Sequence, residues 1–523
     1  VRRAELVLAL VASMSAGCGA VPAIHGPAAG APSVLRIAIG VDPDTLDPKR
    51  QTTVTVTNVV QMVVESLTSV DQEGRVQPAL ATSWDEAPDG LSWTFALRRG
   101  VRFSDGAPLD AAAVQASLDR ALDPSGSCPL CNGLPDSVRS VDQVDASHVR
   151  LVMRVPVASD LLLGLLGNGA YGIMSPRSIL MGTPSYREQE HPVGTGPYVL
   201  KEWVKGEHVT LVRNDRYWGQ RPFYDEQVVD IVPEAPTREA LVRSGQDQVA
   251  LLPPVGDLQA MGRDGNVKVL LAAGDRAIFV ALDTQDRRQP LLRNVQVRRA
   301  LNYAINRDAI IQSTLFGMAD PATSVMAPSD FGYCAQTPYR YDPELARSML
   351  QSAGASGLTV SLIAPTGRYV QDFQAAQNVA GDLRAIGVNV QGPTTMDWPT
   401  YVSTIVVPPD RASVDMHLLG FAPAVLDAGN AMLQLDPNEI PPRGLETSYY
   451  DNPAVTALLT KAKVEPDREA RYQEYCDAQR LVWEDAPWIF LWTEKFPIIY
   501  SSRIVNVSSN PTESFDTVQA RPA

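Results

Sequence analysis

The feature that most restricts how this chain can fold is its last long apolar run. Residues 488 to 500 read Trp-Ile-Phe-Leu-Trp-Thr-Glu-Lys-Phe-Pro-Ile-Ile-Tyr, a run of aromatic and branched residues with the character of a strand. A helical pattern from Asp467 to Trp483 precedes it, and no helical pattern follows with which it could form a further unit. The economical solution is that this strand crosses back to the first half of the chain. Two lobes would then be joined by two connections, with a cleft between them.

The rest of the chain supports that division. From Ser33 to about Leu270 it reads mainly as short strands and turns. Trp93, Phe95 and Leu97 alternate with Ser92, Thr94 and Ala96 after the turn Asp89-Gly90, and Asp105-Gly106 punctuates a second expected strand at Val101 to Phe103. The Ala-rich segment from Asp110 to Leu122 predicts a helix with an acidic N-cap. From about Arg293 the texture changes, with Val297, Ala300, Leu301, Ala304 and Ile305 at helical spacing. Asp342-Pro343 opens a helix that Gly354 ends. A strand at Leu358 to Ile363, a helix through Val379, Leu383 and Ile386, a Gly387 cap and a strand at Val388 to Val390 form a βαβ unit. With 523 residues, the α/β chain is long enough for several cores.

The N-terminus reads as an address. Arg2 and Arg3 precede an apolar run from Leu6 to Met14, long enough for a signal segment and too short to span a bilayer. It ends in Ser15-Ala16-Gly17-Cys18, similar to a bacterial lipobox, so residues 1–18 are expected to be a lipoprotein signal with Cys18 lipidated. The alternative is a plain secretory signal. Residues 19–33, rich in Gly, Ala and Pro, read as a flexible tether. Export places Cys128, Cys131, Cys334 and Cys476 in an oxidising compartment, where pairing is favoured. The expected pairs are Cys128 with Cys131 and Cys334 with Cys476, a buried free thiol being the alternative for the latter.

Charge and motifs exclude several function classes. Forty-five basic against 59 acidic residues give a net charge of −14, a field that opposes nucleic acid and anionic bilayers. Gly167 to Gly172 fits GxGxxG literally, but Ile-Met-Ser-Pro follows in place of a helix. Asp42, Asp44 and Asp47 lack the Gly and Glu of a calcium loop, and Cys128-Pro-Leu-Cys131 has no second CxxC to complete a zinc site. The five histidines are dispersed, and neither a nucleophile elbow nor a P-loop is present. No catalytic centre, cofactor or metal is expected.

A collinear set of motifs carries a resemblance. Val64 to Pro124, with VESLTSVDQEGRVQPALATSWDEAPDGLSWTFALRRGVRFSDGAPLDAAAVQASLDRALDP, is similar to the signature region of the family 5 solute-binding proteins of ABC importers, the dipeptide- and oligopeptide-binding type. Further matches are Thr45-Leu46-Asp47-Pro48, Gly194 to Tyr198, Arg213 to Trp218, Val297 to Asp308, Tyr341 to Ala346 and Glu484 to Pro487. The resemblance implies a periplasmic-binding-protein-like fold of type II, cluster C, a two-lobed Venus flytrap. Its domain I would be residues 34–270 with 486–523, carrying an inserted subdomain at about 76–190, and its domain II residues 271–485. It implies a monomeric, lipid-anchored receptor outside the cytoplasmic membrane that passes a peptide or peptide-like ligand to ABC permease and ATPase subunits. The alternative is a family 5 fold acting as a non-transport regulatory factor of the cell envelope.

The resemblance also implies ligand-facing residues. Trp398 matches a family Trp, with core packing as the alternative. Peptide binders carry Gly-Trp-x-x-Asp, whose Asp pairs with the ligand's α-amino group; here the stretch begins Gly420-Phe421, and Ala424 stands at the acid position. Phe421 keeps the aromatic wall. A buried ammonium without a counter-charge is costly, so the expectation is a ligand that is N-blocked, neutral at that end or not a peptide, unless Asp427 takes the acid's place. The alternative for Asp427 is a helix N-cap. Asn430 joins the candidate set beside it. Asp42 and Asp283 match positions near the cleft, and each has a turn role as the alternative.

Overall fold

The computed structural model describes residues 33–71, 75–123, 128–131, 134–180, 191–285, 288–423, 425–510 and 512–523. The signal segment, Cys18 and the tether up to residue 32 lie outside the described residues. Trp488–Ser501 is a strand buried along almost its whole length, and it does return to the first half of the chain. Its end pairs with Val249–Leu251 through Tyr500, Ile499 and Ile498. Along its length it pairs antiparallel with the 16-residue strand Val267–Leu282.

These two strands sit at the centre of one mixed sheet. On one side follow Val249–Leu251, Val34–Ile39, Glu226–Ile231, His208–Arg213 and Tyr198–Val204; on the other, Met416–Phe421, Thr359–Pro365 and Asn389–Met396. The last two are parallel and flank the helix Asp372–Ala385, as the βαβ pattern predicts. Gly387, at φ +91°, takes the left-handed conformation expected after that helix. Two glycines mark close approaches between elements. A Cβ on Gly274 would lie 1.5 Å from the Glu494 carbonyl oxygen, where the two central strands shift register between Ala272 and Arg276. A Cβ on Gly40 would lie 2.1 Å from the carbonyl oxygen of Gly367, so the lobes touch backbone to backbone.

A separate four-stranded sheet, Ala81–Glu86, Ser92–Leu97, His148–Met153 and Val138–Asp145, has its own core around Trp93, Phe95, Phe103, Leu118 and Leu151. Helix Ala111–Leu122 covers it, capped by Asp110, which accepts from the Ala113 N–H at 2.9 Å. One expectation is corrected here. Val101 to Phe103 makes only an isolated bridge between Arg102 and Pro108, because Gly100 and Gly106 turn the chain at positive φ and Phe103 bonds to Ala107 across the turn.

Several arginines are buried, and most saturate their donors on main-chain carbonyls. Arg238 donates to Val232, Pro233, Leu251 and Leu252. Arg298 donates to Leu292, Arg293, Asp485 and Ala486. Arg307 ties Phe490 and Tyr339 to Asn302. Each braces chain ends that packing alone would leave with orphaned carbonyls.

The structure joins Cys334 to Cys476 with 5.2 Å between Cα atoms, and Cys128 to Cys131 with 5.3 Å. The first closes a span of 142 residues and the second a span of 3. In the chain-entropy account the longer closure stabilises by about 3–5 kcal/mol and the shorter far less. Cys334→Ala with Cys476→Ala is therefore expected to lower the denaturant midpoint much more than Cys128→Ala with Cys131→Ala. Equal shifts from the two double variants would refute this.

Buried acids add a pH dependence. Burial pushes Glu446 and Glu494 up to about 8 and Glu439 up to about 7. In the unfolded chain all three titrate near 4.3. Between that value and their raised values the folded protein holds more protons, so stability falls as pH rises. His417, pushed down to about 3 by burial, acts in the opposite sense only below about 6.5. The melting temperature should therefore drop from about pH 6.5 to about pH 8.5, and Glu446→Gln should flatten the drop. A melting temperature that rises over this window would contradict the assignment.

Candidate ligand-binding site

A cavity of about 900 Å³, in the range of small-ligand clefts, opens in the first lobe. Helix Val54–Gln61, Thr68, Ala79, Tyr217 and Trp218 and the C-terminal residues Asn510, Thr512 and Phe515 form its walls, and Phe421 with Ala422 are the residues of the second lobe that border it. A smaller pocket of about 40 Å³ shares Val54, Leu130, Phe421 and Ala422 with it and runs beneath Trp398. Leu130 lies within the Cys128–Cys131 loop, so the disulfide holds an apolar side chain at the junction of the two spaces.

Trp398 reaches this place because Asp397 caps the helix Trp398–Ile405, accepting from Thr400 N–H at 3.0 Å and leaving the first helical residue facing the cleft. Its ring stacks on Tyr401 at 5.7 Å and meets Tyr369 edge-on at 6.3 Å. Its Nε1 donates to Thr52 Oγ1 at 3.3 Å, a contact across 346 residues of chain that joins the two lobes.

Arg368 lies against the same ring. The turn at Gly367, φ +75°, and Asp372, which accepts from the N–H groups of Arg368 and Tyr369, fix its backbone. Its guanidinium is buried, with 4% of the residue exposed, and lines the smaller pocket. It lies 5.0 Å from the Tyr369 ring and 5.3 Å from the Trp398 ring. Its Nε is buried without a hydrogen-bond partner. Burial, and then the neighbouring Arg276, lower its pKa to about 10. Two carboxylates are in electrostatic range, and both are engaged elsewhere. Glu513 is paired with Arg276, and Glu494 accepts from the Val370 N–H. Where Arg238, Arg298 and Arg307 saturate on carbonyls, Arg368 turns its donors to the pocket. The sequence offers no mark of this, since Gly-Arg-Tyr reads as an ordinary loop and only tertiary burial isolates the charge.

The other sequence candidates divide. Phe421 ends the strand Met416–Phe421 and lines both spaces. Asp427 caps the short helix Ala428–Ala431 through Gly429 N–H at 2.8 Å, and its other oxygen pairs with the buried Arg471. Both oxygens are thus used within the fold. Asn430 braces the preceding loop, accepting from Val425 N–H at 3.2 Å. Asp42 accepts from Trp203 Nε1 at 3.2 Å and Gly206 N–H at 2.8 Å, fastening a hairpin. Asp283 accepts from Gln285 N–H at 3.1 Å in a turn. None of Asp427, Asn430, Asp42 and Asp283 borders either space, whereas Trp398, Phe421 and the unforeseen Arg368 meet at one. Ala424 lies outside the described residues.

Known proteins resemble this arrangement over nearly the whole chain. The glutathione-binding protein GsiB of Salmonella choleraesuis is 29% identical over 499 residues, covering 94% of each chain. The ABC transporter-associated periplasmic binding protein DppA of Helicobacter pylori, solved with the peptide STSA, is 26% identical with a TM-score of 0.84, covering 93% of this chain and 98% of that one. A dipeptide-binding protein from Pseudoalteromonas, solved with Met-Leu, shares the fold at 24% identity and a TM-score of 0.85, covering 94% of this chain and 100% of that one. The family model for bacterial extracellular solute-binding proteins, family 5, matches residues 75–439. The two lobes, the cleft and these matches together place this chain in family 5 of the bacterial extracellular solute-binding proteins, which are binding proteins of ABC transporters and not enzymes.

Proposed function

We propose that this protein captures a peptide-like solute carrying a free anionic end, encloses it between its lobes, and delivers it to the permease and ATPase subunits of an ABC importer. The observation that carries the reading is the Arg368 guanidinium, buried at the pocket without an anion of its own. A charge held in that state is unfavourable until a carboxylate or similar group answers it. Trp398 and Phe421 supply the aromatic walls over which an extended ligand would lie. The named ligands of the similar proteins, glutathione and short peptides, all carry carboxylates. On this reading residues 34–270 with 486–523 act as one lobe bearing the insert at about 76–190, residues 271–485 act as the other, and a lipid on Cys18 keeps the monomer at the outer face of the cytoplasmic membrane.

Replacing a charge-assisted contact with a neutral one costs about 1.5–3 kcal/mol, or roughly 10- to 100-fold in affinity. Arg368→Gln should weaken retention of a di- to pentapeptide pool by that factor while leaving the melting temperature unchanged or raised. C-terminal amidation of the pool should weaken binding to the wild type similarly. Native mass spectrometry reads both, and equal retention of acid and amide pools would refute the role of Arg368. Separately, Cys18→Ala should move the protein from the membrane fraction to the soluble one; membrane association that survives the change would exclude the lipid anchor.

A further inference from the structure

The two spaces meet at a neck, and three parts of the chain form it. Helix Val54–Gln61 contributes Val54, the strand Met416–Phe421 contributes Phe421 with Ala422 after it, and the unit built on the four-stranded sheet contributes Leu130. Val54 is fixed by the helix cap, since Thr53 accepts from the Val56 N–H at 3.1 Å, and Thr52 before it is held by Trp398. Leu130 is the largest aliphatic side chain of the four, and it is 8% exposed. Leu445 of the other lobe, which also lines the smaller pocket, packs against the hydrophobic core that contains Leu130.

The Cys128–Cys131 bridge gives Leu130 its place. A closure over 3 residues removes little entropy from the unfolded chain, so the effect of this cross-link is local. It fixes the backbone on both sides of Leu130. Cys131 N–H donates to the Cys128 carbonyl at 3.1 Å, and Leu134 N–H donates to the Cys131 carbonyl at 3.2 Å. The same carbonyl accepts from the hydroxyl of the fully buried Tyr171. Tyr171 and Leu134 belong to the same hydrophobic core. The side chain at the neck is therefore backed by close-packed structure and moves aside only at a cost.

Little room lies behind the neck. A dry cavity of about 150 Å³ takes a benzene ring. The pocket beside Arg368 has about 40 Å³, enough for a carboxylate and the carbon that bears it. The larger cavity, about 900 Å³, holds the remainder of an extended solute. A branched side chain on the carbon bearing the anion would have to fit at the neck, against Leu130. We infer that Leu130, positioned by the Cys128–Cys131 bridge, determines specificity at the anionic end, so that the preferred solutes end in an unsubstituted, glycine-like carboxylate. The inference rests on the reading of Arg368 as the partner of the anion in a peptide-like solute.

The test uses two tripeptides, Ala-Ala-Gly and Ala-Ala-Leu, each offered with a free and with an acetylated amino end. They compete for the wild type, Leu130→Ala, Leu130→Met, and Cys128→Ala with Cys131→Ala, and native mass spectrometry reads the ratio in which they are retained. Such a ratio does not depend on how much of a variant is folded. The wild type is expected to prefer the glycine end by at least about tenfold, the size of a steric misfit in a packed site. Leu130→Ala and the paired cysteine variant should lose the preference, and Leu130→Met, of similar volume, should keep it. Equal retention of both ends by the wild type would overturn the assignment of a small anionic end while leaving the peptide reading standing. A preference that survives in Leu130→Ala would overturn the role of Leu130, and one that survives in the paired cysteine variant alone would overturn the role of the bridge. Retention of no tripeptide would overturn the peptide reading, and this inference with it.

Discussion

Two long strands, Val267–Leu282 and Trp488–Ser501, pair antiparallel along most of their length, and each lobe adds its own strands to opposite ends of that ladder. Phe279 stacks on Trp488 with ring centroids 3.6 Å apart, locking the end of the ladder in the second lobe. The register breaks between Ala272 and Arg276, where Gly274 brings the backbones together. Arg276, which follows, thus both lies at the joint and borders the smaller pocket. Because a ladder of backbone hydrogen bonds can twist without breaking, the joint between the lobes can carry binding groups without giving up its pairing.

The distribution of buried charge separates structure from function. Arg238, Arg298 and Arg307 are saturated by carbonyls, and Arg276 and Arg471 by carboxylates. Local consistency of this kind is what makes a fold specific, and departures from it tend to collect at functional sites. Arg368 is such a departure, buried at the smaller pocket with its Nε unanswered.

Much of the architecture was legible because it follows from short-range rules. The returning strand was visible as an apolar run with no partner pattern left, two helices from their starts at Asp110 and Asp342, and the βαβ unit from its change of period. Val101 to Phe103 misled because two flanking glycines at positive φ convert an alternating pattern into a turn. In the site, Trp398 and Phe421 were legible as large aromatics at matched positions, and both border the cleft. Asp427, Asp42 and Asp283 were ambiguous by nature, since an Asp beside a turn or helix start satisfies local N–H groups as readily as it would a ligand. Arg368 left no trace in the sequence. Its meaning lies in the lack of a partner for its buried Nε, which is a property of the packed chain.

The contact of Gly40 with Gly367 is made by main chain alone. No side chain stands between the two segments, so their spacing is defined by backbone and not by any rotamer. A side chain at either glycine would act as a wedge, since a Cβ on Gly40 would meet the Gly367 carbonyl oxygen and Gly367, at φ +75°, holds a conformation that favours glycine. Two stretches of chain far apart in sequence are thereby held to a single separation by the smallest residue available to each.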